Sequence, residues 1–498
     1  MHKLTKVDRT EVSRSIYAHA RDNPGNLAVV SRRSTLTYEK LANLIDCCAI
    51  RLQRMGLSEH TVCALAIQDQ LTLLVSWLAL NRLGVGIICI SQSQQKQDTK
   101  SLISECAVHV ILSDYGYAWP KTKTVDVNLN ALETGERVSL NAVRHNKKLV
   151  EHIVMGSGST GKPKLIAYEF GATLRLMQTY VESAKITSKH RYGALMDLHY
   201  WTPFVSCLIQ LHVGATLVLK DINERDAFLF LERFEINTTD ATVFHAEQLY
   251  QLARKHGRRL QKMKNLSLSA SVVTDDLITR LRDAVTTEIT VDYGTNECWP
   301  VSSIKITQEI RPAGSVGRPV INAAVDIVDD YGNTLPNNQP GHVRIRSAGM
   351  FSEYIGQPKE TRRRLRGGWF YPGDIGKLNT NGHLILLGRS DQMMVFNGIN
   401  IYPAVIETVM ANHPSVTDVA VMRLKHKIHQ DVPVCAVQLH SDSDATEQEL
   451  LEYGKKRLGV KSAKLMFIID VIPRNELGKL VRSSMAHILH ARIKSRGV

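Results

Sequence analysis

The sequence predicts an α/β protein with more than one domain: helices alternating with short apolar strands, then a barrel-like antiparallel stretch, then a compact C-terminal α/β piece. Three observations carry this. A chain of 498 residues is longer than one compact core supports. Short apolar runs such as VCALAI and GIICI recur between helical stretches from Glu11 to about Ile304. From Val316 to Ile355 the pattern changes to alternating runs, AAVDIVD and GHVRIRS, separated by the turn-rich DYGNTLPNNQPG.

Taken in order, the opening residues MHKLTKVDRTEVSRS are charged and polar without an apolar run, which argues against a cleaved leader and implies a cytoplasmic protein. The most apolar segment, LTLLVSWLALNRLGVGIICIS (Leu71 to Ser91), is interrupted by Asn81, Arg82, Gly84 and Gly86. A buried helix followed by a buried strand is therefore predicted, not a membrane span. In NTNGHLILLGRSDQ (Asn379 to Gln392) a strand ends at Gly388 in polar residues that suit a hinge.

Composition narrows the function. With 44% hydrophobic and 22% charged residues the chain should fold as an ordinary globular protein. Its net charge of +14 attracts polyanions. The densest basic run, TRRRLRGGWF (Thr361 to Phe370), has no interleaved aromatics to stack bases, so it reads as a solvated helix end and nucleic acid is not an expected partner. A polyphosphate substrate would use the same charge. The eight cysteines form no C-x-x-C pair, and His426 and His429 lie in a charged stretch, so neither structural zinc nor a disulfide framework is predicted.

The stretch MGSGSTGKPKLIAYEF (Met155 to Phe170) opens like a nucleotide-binding P-loop, but Pro163 stands where that motif places the hydroxyl that ligates Mg²⁺. Proline also keeps Lys162 out of the helical region, so KLIAYEF is expected to be a strand. Backbone N–H groups at Gly156, Gly158 and Gly161, the hydroxyls of Ser157, Ser159 and Thr160, and the charges of Lys162 and Lys164 all suit a polyphosphate. A P-loop NTPase is the rival reading, disfavoured by Pro163 and by the lack of a convincing Walker-B strand.

GSGSTGKPK is similar to the signature loop of the adenylate-forming superfamily, which comprises acyl-CoA synthetases, peptide-synthetase adenylation domains and firefly luciferase. Four further motifs follow in the family's order and together cover nearly the whole chain. DYGTNECWP (Asp292 to Pro300) resembles Tyr-Gly-x-Thr-Glu, implying that Tyr293 packs on adenine and that Glu297 holds Mg²⁺; Asn296 replaces the usual threonine beside the phosphates. GWFYPGDIGKL (Gly368 to Leu378) is similar to Gly-Trp-x-x-Thr-Gly-Asp, with Pro372 for threonine, and implies that Asp374 binds the ribose hydroxyls. LGRSDQMMVFNGINIYPAVIE (Leu387 to Glu407) resembles the hinge motif: Arg389 toward the ribose or α-phosphate, Asp391 as the hinge, Gly398 beside a pantetheine channel. PRNELGKLVR (Pro473 to Arg482) resembles the motif whose lysine, here Lys479, is catalytic.

The resemblance implies a large N-terminal domain of α/β sheets plus a small barrel-like subdomain, residues 1–388, and a small mobile α+β C-terminal domain, residues 389–498. It implies ATP-dependent activation of a carboxylic acid to an acyl-adenylate, then transfer to a thiol, with ATP and Mg²⁺ required. CoA is the favoured thiol. The phosphopantetheine of a separate carrier protein is the alternative, and a catalytically weak ligand-binding relative is a further one. The position at which peptide-synthetase domains hold an α-amine is Trp201 here, which disfavours an α-amino acid, and His199 with Trp201 is expected to wall an apolar acid pocket. LSASVVTDD (Leu268 to Asp276) stands where the family carries Ser-Gly-Gly-Ala.

Overall fold

Apolar runs too short for helices pair into sheets, and the helices between them cover the faces. The computed structural model describes residues 11–32, 34–91, 99–115, 122–127, 149–156, 164–221, 223–306, 311–441, 443–475 and 478–495. One sheet of nine strands runs, edge to edge, Arg318–Pro319, Cys298–Ile306, Ile289–Thr295, Asn265–Ser269, Thr238–Thr242, Arg191–Ala194, Thr216–Leu219, Leu27–Val30, Thr35–Thr37. Its six central strands are parallel and its edges antiparallel. A second sheet of seven strands runs Glu353–Tyr354, Lys164–Glu169, Val150–Gly156, Gly86–Cys89, Val62–Ala66, Val110–Ser113, Lys123–Asp126.

The two sheets share one core. The predicted buried helix is Gln70–Arg82, with Leu71 to Arg82 all buried, and the strand after it is Gly86–Cys89. Trp77 on this helix meets Phe204 on helix Trp201–His212 with ring centroids 5.1 Å apart. The residues that excluded a membrane span are used inside the protein: Asn81 donates to Glu151 Oε1 at 3.0 Å, and Arg82 bridges Glu11 and Asp46 at 3.0 Å each. No helix among the described residues is long and apolar enough to cross a membrane.

The barrel-like subdomain is a six-stranded antiparallel sheet of Ala323–Val328, Gly341–Ser347, Leu365–Arg366, Trp369–Phe370, Asp374–Leu378 and Leu384–Arg389. Its extent corrects the sequence reading. The subdomain continues to Arg389, while Glu353–Tyr354, inside the expected 316–355 range, pairs instead with Lys164–Glu169 of the seven-stranded sheet. A two-residue strand has too little alternation to announce which sheet it joins.

From Met394 the chain builds a five-stranded sheet of its own around the hairpin Val416–His426 and Gln430–Leu439. Alternation along the second strand serves two cores: Cys435 and Val437 face Ile406, Met410 and Leu450, while Val434 and Ala436 face Phe467, Met485 and Leu489. Helix Glu447–Leu458 starts at a capping box in which Thr446 and Glu449 satisfy each other's backbone N–H.

Candidate functional site

The C-terminal ends of the parallel strands in an open α/β sheet are where ligands bind, because the loops beyond them leave a crevice. Thr242, Ser269 and Thr295 end three such neighbouring strands. At Thr295 the chain reverses at once, since Thr295 pairs with Cys298 and leaves Asn296 and Glu297 as the turn. A side chain at Gly294 would meet Trp299 Cδ1 at 2.5 Å, so only glycine lets the hairpin close this tightly.

Aromatic hydroxyls hold that turn. Tyr168 donates to the Asn296 carbonyl, Tyr354 donates to Glu297 Oε1 at 2.8 Å, and the Phe351 N–H donates to the Glu297 carbonyl at 2.9 Å. Tyr293 donates its hydroxyl to Asp374 Oδ2. Burial first, and then the Asp374 charge, raise the Tyr293 phenol well above its ordinary value, so it stays a donor.

Asp374 is 9% exposed and lies opposite Arg389 in the antiparallel ladder. Arg389 Nη1 donates to Asp374 Oδ1 at 3.2 Å and to the Pro372 carbonyl at 2.8 Å. Burial raises the Asp374 carboxyl and the Arg389 guanidinium opposes that rise. Gly373, at φ +87°, is the space between two guanidinium groups: a Cβ there would sit 2.5 Å from Arg364 Nη1 and 3.2 Å from Arg389 Nη2. Arg389 also reaches Asp391 at 3.4 Å, in the short turn Ser390–Gln392 between the subdomain and the C-terminal sheet.

Lys479 comes to the same place from the far end of the chain. Its hairpin is closed by Asn475, whose N–H donates to the Lys479 carbonyl at 2.9 Å and whose Oδ1 accepts from the Lys479 N–H at 2.9 Å. Arg474 braces the hairpin, donating to the Gly478 carbonyl at 2.9 Å while paired with Asp418 at 2.5 Å. Gly478 rests directly on Phe244 of helix Val243–His256. Burial lowers the Lys479 ammonium below the ordinary lysine value; Glu297 pulls it back up and Arg389 pushes it down, so the amine lies within electrostatic reach of both.

Of the expected phosphate loop, Ser157, Gly158, Ser159, Thr160, Gly161 and Lys162 lie outside the described residues. Its flanks are antiparallel strands, Val150–Gly156 and Lys164–Glu169, with Gly156 paired to Lys164. The chain leaves the loop as a strand, as Pro163 predicts, where a P-loop would open a helix. Lys164 is ion-paired with Glu360 at 2.8 Å and lies over the Tyr354 ring at 4.8 Å. Glu360 also holds Arg363 and Arg364, and these partners keep its carboxyl far below the usual range against the pull of burial. The basic run is thus partly tied to the loop's base and not merely solvated.

His199 and Trp201 are brought to the start of helix Trp201–His212 but face different groups. His199 Nδ1 pairs with Asp197 Oδ1 at 2.6 Å. Trp201 stacks on His152 with centroids 3.9 Å apart, and His152 stacks on Tyr168 at 4.6 Å, the tyrosine that holds Asn296. Gly398 is the second residue of a two-residue Asn-Gly turn, with φ +49° at Asn397 and +79° at Gly398, and among the described residues nothing lies within 4 Å of where a Cβ would stand. In the altered LSASVVTDD stretch, Ala270 takes φ +71°, a left-handed conformation that glycine adopts without strain.

Sequence reasoning missed Tyr168, Tyr354, Glu360, Arg474 and Phe244, all of which position residues of the site. Arg474 and Tyr168 sit inside the quoted PRNELGKLVR and KLIAYEF, but nothing local says what either side chain meets; Tyr354, Glu360 and Phe244 come from other elements and carry no local signal.

Comparison with known proteins gives matches over most of the chain. The family model described as "AMP-binding enzyme" matches residues 16–355, and "AMP-binding enzyme C-terminal domain" matches residues 405–479. The 2-succinylbenzoate–CoA ligase of Bacillus subtilis is 22% identical over 96% of this chain and 98% of its own. The B. subtilis protein YdaB is 24% identical over 66% of this chain, a match that spans 65% of that relative. Among solved structures, B. subtilis o-succinylbenzoate coenzyme A synthetase in complex with ATP and magnesium ion superposes with a TM-score of 0.82 at 21% identity, covering 95% of this chain and 99% of that one.

Proposed function

Since the chain belongs to the AMP-binding enzyme family, we propose that it activates a carboxylic acid with ATP, forming an acyl-adenylate and pyrophosphate, and then transfers the acyl group to CoA, giving a thioester and AMP. The observation that carries this reading is the seat of the Lys479 hairpin: Gly478 rests on Phe244, just beyond the strand end at Thr242, which brings the lysine from the far end of the chain to the crevice where Asn296 and Glu297 turn. The relatives named as CoA ligases support the acceptor.

A carboxylate cannot expel oxide. Its oxygen therefore attacks the α-phosphorus of ATP, the bond to the bridging oxygen breaks, and pyrophosphate leaves with the electron pair. The transition state gathers negative charge on phosphoryl oxygens, so it is lowered mainly by positioned positive charge and hydrogen-bond donors. In this reading Lys479 supplies the ammonium at the reacting phosphate, and Ser157 to Lys162 with Asn296 hold the β- and γ-phosphates. Tyr293 packs on adenine, and Asp374 with Arg389 holds the ribose. Glu297 would hold Mg²⁺: one carboxylate beside substrate phosphates is the donor set that ion takes, and no cluster of three or more His, Cys, Asp or Glu occurs among the described residues to suggest a softer metal. Bound there, Mg²⁺ neutralises phosphate charge.

In the second step the CoA sulfur attacks the acyl carbonyl, the bond to the phosphate oxygen breaks, and AMP leaves. Residues 1–388 and 389–498 act as two units, with Asp391 as the pivot that replaces Lys479 by the Gly398 hairpin, where the pantetheine arm would pass. His199 and Trp201 border the acid. Acid-dependent ATP–pyrophosphate exchange over a panel of aryl, fatty and amino acids, followed by CoA-dependent AMP release with any acid that responds, tests the reading. Exchange with no acid despite ATP binding would reject it.

A further inference from the structure

We propose that the acid pocket reaches a pair of carboxylates, half-buried Asp240 and buried Asp292, and takes a carboxylic acid that carries an ammonium group remote from the carboxylate it activates. This rests on the adenylation reading above and names the substrate class for it.

The pair lies on one face of the nine-stranded sheet. Asp240 is in register with Ser267, the Ser267 hydroxyl donates to Asp292 Oδ2, and Asp292 is in register with Ser303. Tyr192 and Ser206 donate to Asp240 Oδ2 at 3.2 and 2.5 Å, and Tyr180 donates to Asp292 Oδ2 at 2.9 Å. Every one of these partners is a neutral hydroxyl. Neither carboxylate forms an ion pair with a Lys, Arg or His among the described residues.

Two features point to a ligand. Asp292 is 4% exposed; the Ser303 hydroxyl interacts with its carboxylate, and its Oδ1 accepts no hydrogen bond of full geometry among the described residues. Asp240 keeps accessible surface in mid-strand although Thr238, Thr239, Ala241 and Thr242 on either side are buried, so it is the accessible member of the pair. Burial, opposed by the Ser206 hydroxyl and reinforced by the Asp292 charge, pushes the Asp240 carboxyl up to about 6. Burial likewise raises Asp292. Two carboxylates held largely out of water without a cation are costly, and a ligand ammonium supplies both the missing charge and a full donor for Asp292 Oδ1.

The position fits the end of a substrate. Asp292 immediately precedes Tyr293, and Ser206 lies on the helix that Trp201 begins. Three residue steps of strand, roughly 10 Å at about 3.3 Å each, lead from Asp292 to Thr295 beside the Asn296–Glu297 turn. A cation at the pair therefore lies several bonds from a carboxylate reacting beside Glu297. An α-ammonium is too close to its own carboxylate to reach.

The test is ATP–pyrophosphate exchange with matched acids: 6-aminohexanoate against heptanoate, and 4-(aminomethyl)benzoate against 4-ethylbenzoate. The expected result is at least a tenfold higher kcat/KM for the amine in one pair, with Asp240→Asn and Asp292→Asn each reducing that ratio tenfold or more. Preference for the neutral acid in both pairs, unmoved by either substitution, overturns the proposal while leaving adenylation standing. Exchange with none of these four acids while another acid of the wider panel responds overturns this proposal alone; exchange with no acid of that panel despite ATP binding overturns adenylation and this proposal with it. Should an Asn variant fail to fold, the wild-type melting temperature decides: a rise with 6-aminohexanoate and none with heptanoate supports the pair as an ammonium site, and equal shifts refute it.

Discussion

A single added methyl group should separate the two half-reactions. Gly478 adopts φ +74°, and a Cβ there would lie 2.5 Å from Phe244 Cβ and 3.3 Å from Phe244 Cγ. Carbon atoms pack at roughly 3.5–4.0 Å, so Gly478→Ala must move the Lys479 hairpin back by about 1 Å. The left-handed backbone adds about 1–2 kcal/mol of strain for alanine. Because a 1 Å misplacement of a catalytic group costs on the order of 10²-fold, ATP–pyrophosphate exchange should fall by about that factor. Thioester formation from a supplied acyl-adenylate, which does not use the Lys479 contact, should change little. Phe244→Gly in the same chain removes the obstructing Cβ and should restore part of the exchange, whereas Phe244→Ala, which keeps that atom, should not. Wild-type exchange in Gly478→Ala, or equal loss of both half-reactions, refutes the docking argument.

Lys479→Ala should abolish exchange and spare thioester formation from acyl-adenylate. The lysine acts as a cation and burial lowers its pKa, so exchange should decline as pH rises through a value below the ordinary lysine range, and Lys479→Arg should move that decline to higher pH. Arg82→Met strands Glu11 and Asp46 in the core, where the arginine is 3% exposed; denaturant unfolding should show a loss of about 3–5 kcal/mol. Ala270→Gly relieves the left-handed alanine, and urea unfolding should show a gain of roughly 0.5 kcal/mol after the entropy of the added glycine is deducted.

Local chemistry made much of the fold legible. Pro163 announced a strand after the loop because it acts on its immediate neighbour, and Lys164–Glu169 is that strand. Asn81 and Arg82 announced a buried helix because a membrane would not hold them, and Gln70–Arg82 lies inside the shared core. The barrel boundary was misjudged because Glu353–Tyr354 is recruited by a distant strand. Trp201 stacks on His152 while His199 pairs with Asp197, and which group meets each ring is set by what packs opposite it, which two neighbouring positions in the sequence do not announce.

The sequence by itself determined the fold class and the order of the motifs, because turn residues, prolines and apolar periodicity act within a few residues of themselves. Only the tertiary structure decided that Tyr168 and Tyr354 hold the Asn296–Glu297 turn, that Gly478 seats the Lys479 hairpin on Phe244, and that Asp240 and Asp292 share one sheet face without a cation among the described residues. Those contacts join residues tens to hundreds of positions apart. Strand register and helix docking create them, and no local pattern encodes either.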